Sequence, residues 1–108
     1  MNADLFVYGT LMDEDTVRRV TGRIFPRARA VLPDFARFHP RGCYAYVLPR
    51  RGSEVEGLLL LEIDPASLAR LDEYEDEGRL YRRIEVRVVC DGRERSCFTY
   101  CGLDPADR

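Results

Sequence analysis

The chain is 108 residues long, 45% apolar and 33% charged, with a formal net charge of −2. That is enough for one hydrophobic core, so residues 1–108 are expected to form a single domain that needs no disulfide or metal staple. The small acidic excess argues against a nucleic-acid partner, which would need a basic stripe, and no apolar stretch approaches membrane-spanning length.

In chain order, Leu5-Phe6-Val7-Tyr8 reads as a strand covered on both faces. Gly9-Thr10 breaks it, and Asp13 can cap a short helix to about Val20, with Gly22 marking its exit. Arg29 to Phe38 reads as an irregular strand pair or a bent strand, interrupted at Pro33. Tyr44 to Leu48 and Val55 to Ile63 are two further strands. The segment between them, Pro49-Arg50-Arg51-Gly52-Ser53, has turn chemistry and predicts that they form a hairpin. Asp64-Pro65 starts a second helix, which should reach Tyr74 or Glu75 and fray into the acidic stretch ending at Gly78. Ile84, Val86 and Val88 alternate with Arg83, Glu85 and Arg87, as in a half-buried strand. Asp91-Gly92 then turns the chain into a last strand, Ser96 to Tyr100. The order β-α-β-β-β-α-β-β predicts an α+β fold, a compact mixed sheet or barrel of about six short strands with two helices.

All seventeen basic residues are Arg. They alternate with Asp and Glu as on a solvated surface, and the lack of Lys removes any Schiff-base mechanism. Met1-Asn2-Ala3-Asp4 carries no basic segment, and the apolar run after it is too short for a secretion signal, so the expected location is the cytoplasm. Cys43, Cys90, Cys97 and Cys101 match no zinc spacing, and His39 is the only histidine. Cys97 and Cys101 fall in one strand, roughly 13 Å apart, which is too far for a disulfide. Free, mostly buried thiols are expected. A Cys43–His39 nucleophile pair has no orienting acid in the sequence, and His39 reads as a solvated loop residue.

Two features remain that could carry chemistry. Leu68 and Leu71 define the apolar stripe of the second helix, and Glu75 falls on that stripe, seven residues beyond the first and four beyond the second. Asp72 lies at the stripe's edge and is the second choice. A carboxylate facing a core must be paired, hydrogen-bonded or protonated, and burial raises its pKa toward the range useful for proton transfer. If the helix instead ends at Tyr74, Glu75 belongs to a solvated acidic turn, and periodicity alone does not decide between the two. The other feature is Tyr8-Gly9-Thr10-Leu11, whose amide N–H groups could hold a carboxylate or an oxyanion. It could equally be a tight strand-to-helix turn that binds nothing.

Taken together, Phe6-Val7-Tyr8-Gly9-Thr10-Leu11, Val55-Glu56-Gly57, Leu71-Asp72-Glu73-Tyr74-Glu75 and Tyr81-Arg82-Arg83 resemble the γ-glutamylcyclotransferase-like family, in its small AIG2-like branch. The resemblance runs from about Leu5 to Tyr100. It implies a small mixed β-barrel flanked by helices, with a pocket where the first loop meets the acidic helix end. It implies that Tyr8, Gly9, Thr10 and Leu11 hold a glutamyl group, that Glu75 is the catalytic acid/base, and that Tyr81 and Tyr100 line the pocket. Arg83 shares strand parity with Tyr81 and is placed to pair with a nearby acid. Two departures stand out: Ala45 follows Tyr44 where relatives often carry proline, and the longer tail of some relatives is lacking, which bears on leaving-group specificity. The length also sets the chain apart from the larger glutathione-specific branch.

The reaction implied is cleavage of a γ-glutamyl amine or γ-glutamyl amino acid by intramolecular ring closure to 5-oxoproline, with no cofactor and no metal. The substrate is a small molecule, with neither nucleic acid nor membrane as partner. The alternative is a non-catalytic binding or interaction module that keeps the fold and the pocket.

Overall fold

The first strand is apolar at every position from Leu5 to Tyr8 because both of its faces are covered. In the computed structural model, which describes residues 1–42 and 44–103, β1 (Ala3–Val7) sends Leu5 and Val7 toward two helices and Phe6 into the interior of a barrel. Its edges are covered as well. One pairs antiparallel with β3 (Tyr46–Ile63), with Phe6 opposite Leu59, and the other pairs parallel with β5 (Arg93–Gly102), with Leu5 opposite Phe98. With β2 (Arg27–Phe38) and β4 (Tyr81–Cys90), the strands close into a barrel in the order β1-β3-β2-β4-β5. The single parallel pair makes the barrel mixed.

The helices start where the sequence places them. Asp13 caps α1 (Glu14–Thr21) by accepting from the Thr16 N–H at 3.2 Å, and Gly22 ends it with a φ of 78°. Asp64 caps α2 (Pro65–Tyr74) through the Ser67 N–H at 3.1 Å, with Pro65 at the first helical position. The two helices pack on one another and on the outer face of β1, where Val17, Leu68, Leu71 and Ile63 close a second core outside the barrel. No helix among the described residues is long and apolar enough to cross a membrane.

The strand count differs from the expectation, for a physical reason. The stretches from Tyr44 to Leu48 and from Val55 to Ile63 do not form a hairpin: from Tyr46 onward they are the two halves of β3, and both halves pair with β2. The barrel therefore has five strands. Strand β2 bends at Asp34, whose φ is 62°, and the turn-like residues opposite it form a bulge in which the Gly52 N–H donates to Asp34 Oδ1 at 3.0 Å. Glycine with positive φ suits a bulge as well as a reversal, so composition alone could not separate them. The Asp91-Gly92 turn does reverse the chain, with φ values of 53° and 74°, joining β4 to β5.

Gly57 shows why β3 can run so close to β1. A Cβ there would lie 2.3 Å from the Val7 carbonyl oxygen and 2.7 Å from Phe6 Cζ, both in the fully packed centre. Gly57→Ala is therefore expected to destabilise the protein by roughly 1–3 kcal/mol, as overpacking does. Urea unfolding checks this, and an unchanged midpoint would contradict it.

Candidate active site

Where β1 leaves the barrel, Tyr8 is buried and its hydroxyl donates to the Tyr100 carbonyl of β5. The chain then tightens into a 3-10 turn, Thr10–Met12, closed by the Met12 N–H on Gly9 O at 2.9 Å and the Asp13 N–H on Thr10 O at 3.2 Å. The N–H groups of Gly9, Thr10 and Leu11 meet no acceptor among the described residues. This leaves a short row of amide donors available to a ligand.

The end of α2 approaches the same place. The Glu75 N–H still bonds to the Leu71 carbonyl at 3.0 Å, so its side chain continues the buried stripe although the helix proper stops at Tyr74. Asp76 follows with a φ of 55°, its N–H on Glu73 O at 3.1 Å and the Glu77 N–H on Asp72 O at 3.0 Å. That pair of bonds around a left-handed residue is a Schellman motif. It makes Glu75 the C-cap and sets the direction of its side chain. Across the opening, Thr10 Oγ1 and Tyr74 OH share a hydrogen bond of 3.1 Å that ties the loop to the helix end.

Between them lies a cavity of about 430 Å³. The residues that the resemblance assigns to the pocket all line it: Glu75, the Tyr8-Gly9-Thr10-Leu11 loop, Tyr81 and Tyr100. Burial pushes the Glu75 carboxyl up from the ordinary 4.5 to about 7, no basic side chain stands in the last turn of α2, and no described cation pairs with it. Around it stand three tyrosines whose hydroxyls are committed elsewhere: Tyr8 to the Tyr100 carbonyl, Tyr81 to the Ala45 carbonyl at 2.6 Å, and Tyr100 to Asp72 Oδ1 at 2.6 Å. Burial, with the Glu75 charge adding to it, holds these phenols protonated, Tyr81 being pushed up to about 12. They wall the cavity without supplying acids to it.

Asp72, the second-choice acid, does not line the cavity. It receives the Tyr100 hydroxyl, and Arg83 Nε lies 2.9 Å away in an ion pair. Arg83 also rests over the Phe98 ring, 4.6 Å from its centroid, and is absent from the cavity wall although it shares strand parity with Tyr81, which lines it. His39 is exposed at the cavity edge. Cys90, Cys97 and Cys101 are free and buried, whereas Cys43, and with it the Cys43–His39 pair, lies outside the described residues. Among the described residues no three His, Cys, Asp or Glu side chains gather into a metal-binding group.

The sequence reading missed Arg37. It is the last but one residue of β2, it lines the cavity, and its Nε donates to the Tyr8 carbonyl at 3.1 Å. Nothing local distinguishes it from the other surface arginines; only the bend of β2 brings it here.

Comparison with known proteins agrees with this architecture. The family described as "Gamma-glutamyl cyclotransferase, AIG2-like" matches residues 5–107. AIG2-like protein D of Arabidopsis thaliana is 42% identical over 86 residues, covering 79% of this chain, and the chain spans only 55% of that relative's length. Another Arabidopsis thaliana protein, known by its solution structure, superposes with a TM-score of 0.84 at 29% identity, covering 98% of this chain and 74% of its own. A Mus musculus AIG2-like protein gives a TM-score of 0.80 at 25% identity, covering 97% and 81%. The chain belongs to the AIG2-like γ-glutamyl cyclotransferase family.

Proposed function

We propose that the protein releases 5-oxoproline from γ-glutamyl amines or γ-glutamyl amino acids, with Glu75 as the proton shuttle. The observation that carries this reading is a desolvated carboxylate, pushed up to about 7, in the same cavity as a loop with unpaired amide donors. Membership of the family supports the reaction class.

In the reaction, the α-amine nitrogen of the glutamyl group attacks its own γ-carbonyl carbon. A carbon–nitrogen bond forms, closing a five-membered lactam, and the bond to the leaving nitrogen breaks. No water enters and no oxidant is needed. The α-ammonium must lose one proton before attack, and the ring nitrogen loses a second as the lactam forms; the leaving nitrogen gains both and departs as an ammonium, so a single carboxylate can carry them across. A carboxylate pushed up to about 7 by burial is a better match to an ammonium than a solvated one. The amides of Gly9 to Leu11 hold the α-carboxylate or the developing oxyanion. The tyrosine walls fold the flexible glutamyl chain so that amine and carbonyl meet, the kind of proximity that lowers a barrier by several kcal/mol.

A panel of γ-glutamyl amines and amino acids, assayed for 5-oxoproline, tests the reading. Product is expected from at least one member, and Glu75→Gln should lower kcat by about 10²–10⁴-fold. Product formation unaffected by that change would remove Glu75 from the mechanism. Binding without product across the panel would point to the non-catalytic module instead.

The proton equilibrium gives two further expectations. As the base must be ionised, kcat/KM should rise as pH increases through about 7, and a profile flat from pH 5 to 8 would contradict it. Because the folded pKa of Glu75 lies above its ordinary 4.5, the folded state holds the extra proton, and stability is lost as pH rises from 4.5 through about 7. Glu75→Gln escapes that loss. Its melting temperature, relative to the unmodified protein, should therefore be higher at pH 8 than at pH 5. An equal difference at both values would show that the carboxylate is solvated.

A further inference from the structure

Arg37 sits on the peptide that begins the candidate substrate loop, and its position separates two places where an anion can bind. Its Nε donates to the Tyr8 carbonyl oxygen at 3.1 Å. That carbonyl and the Gly9 N–H belong to one planar trans peptide, so they point in opposite directions. Arg37 and the Gly9 N–H therefore lie at opposite edges of the same peptide, and both residues line one cavity. A single carboxylate cannot take the guanidinium on one edge and the Gly9 N–H on the other.

The guanidinium is also available. One of its nitrogens is used on the Tyr8 carbonyl, which fixes its orientation, and no carboxylate among the described residues forms an ion pair with it. An arginine held by one nitrogen still offers the remaining donors of its planar fork to a carboxylate. It is exposed, so a group reaching it projects toward the cavity mouth.

Counting charges then distinguishes the substrates. A γ-glutamyl amine with a neutral leaving group has one carboxylate, which the loop amides can take. A γ-glutamyl amino acid has a second carboxylate on the part that is released. We infer that Arg37 receives this second carboxylate and selects γ-glutamyl substrates whose leaving amine carries an anionic group. The inference rests on the cyclotransferase reading above and narrows its substrate class.

The test uses γ-glutamyl-alanine and γ-glutamyl-ethylamide, whose leaving groups differ only by the carboxylate. The unmodified protein should favour the alanine compound at least tenfold in kcat/KM, as expected for a charge-assisted hydrogen bond. Arg37→Gln should collapse that ratio toward one, and Arg37→Lys should restore part of it by returning the charge. A ratio near one in the unmodified protein would overturn the inference. So would an Arg37→Gln loss equal for both compounds, which would mean that Arg37 braces the loop or meets the α-carboxylate. Absence of 5-oxoproline from every γ-glutamyl compound is a failure of the cyclotransferase reading instead. Calorimetric binding of the same pair then decides: tighter binding of the alanine compound, lost in Arg37→Gln, supports the inference, and equal binding sinks it.

Discussion

A carboxylate at the C-terminal end of a helix, facing a cavity with no paired cation, is an unfavourable arrangement that must be maintained by everything around it. Burial alone penalises the charged form, and the negative end of the helix dipole acts in the same direction. Glu75 keeps this position because α2 cannot rotate away. Leu68 and Leu71, on the same stripe, are locked in the core beneath β1, and the Schellman bonds of Asp76 and Glu77 stop the helix at the residue that faces the cavity. The stabilisation comes from the apolar face of α2, and its chemically useful member is the one polar residue that continues it.

The neighbouring acid shows how selective the arrangement is. Asp72 lies one turn back on the same helix, yet it takes the Arg83 ion pair and the Tyr100 hydroxyl together. Arg83 is further held by its contact with the Phe98 ring. Arg83 is thereby spent on the acid that does not line the cavity. A pairing of Arg83 with Glu75 instead would lower the pKa of that carboxyl and remove its capacity to trade protons near neutrality. The same principle applies to the tyrosines, whose hydroxyls serve carbonyls and Asp72, while burial displaces Glu75 toward neutral pH.

Much of this was legible because its signals are local. Asp13 and Asp64 announce helix starts by side-chain chemistry, Asp91-Gly92 announces a reversal, and the unbroken apolar run of β1 announces cover on both faces. Glu75 was visible as a break in periodicity, and the resemblance of the flanking motifs then singled it out. What could not be read depends on distant partners. Gly52 looks like a hairpin turn until β2 is seen to pair with both halves of β3. Asp76 adopts a left-handed conformation usually marked by glycine, so the true end of α2 carried no residue signal. Arg37 reaches the cavity only through the bend at Asp34, and nothing within its own strand distinguishes it.

The claim on which the account turns is that Glu75 is a desolvated, uncompensated carboxylate. Carbon-13 NMR of the glutamate side-chain carboxyls, with the Glu75 signal assigned by its loss in Glu75→Gln, measures its titration directly. A midpoint near 7 is predicted. A midpoint at the ordinary 4.5 would contradict the account, because a carboxylate already solvated and ionised would have no reason to be held where this one is.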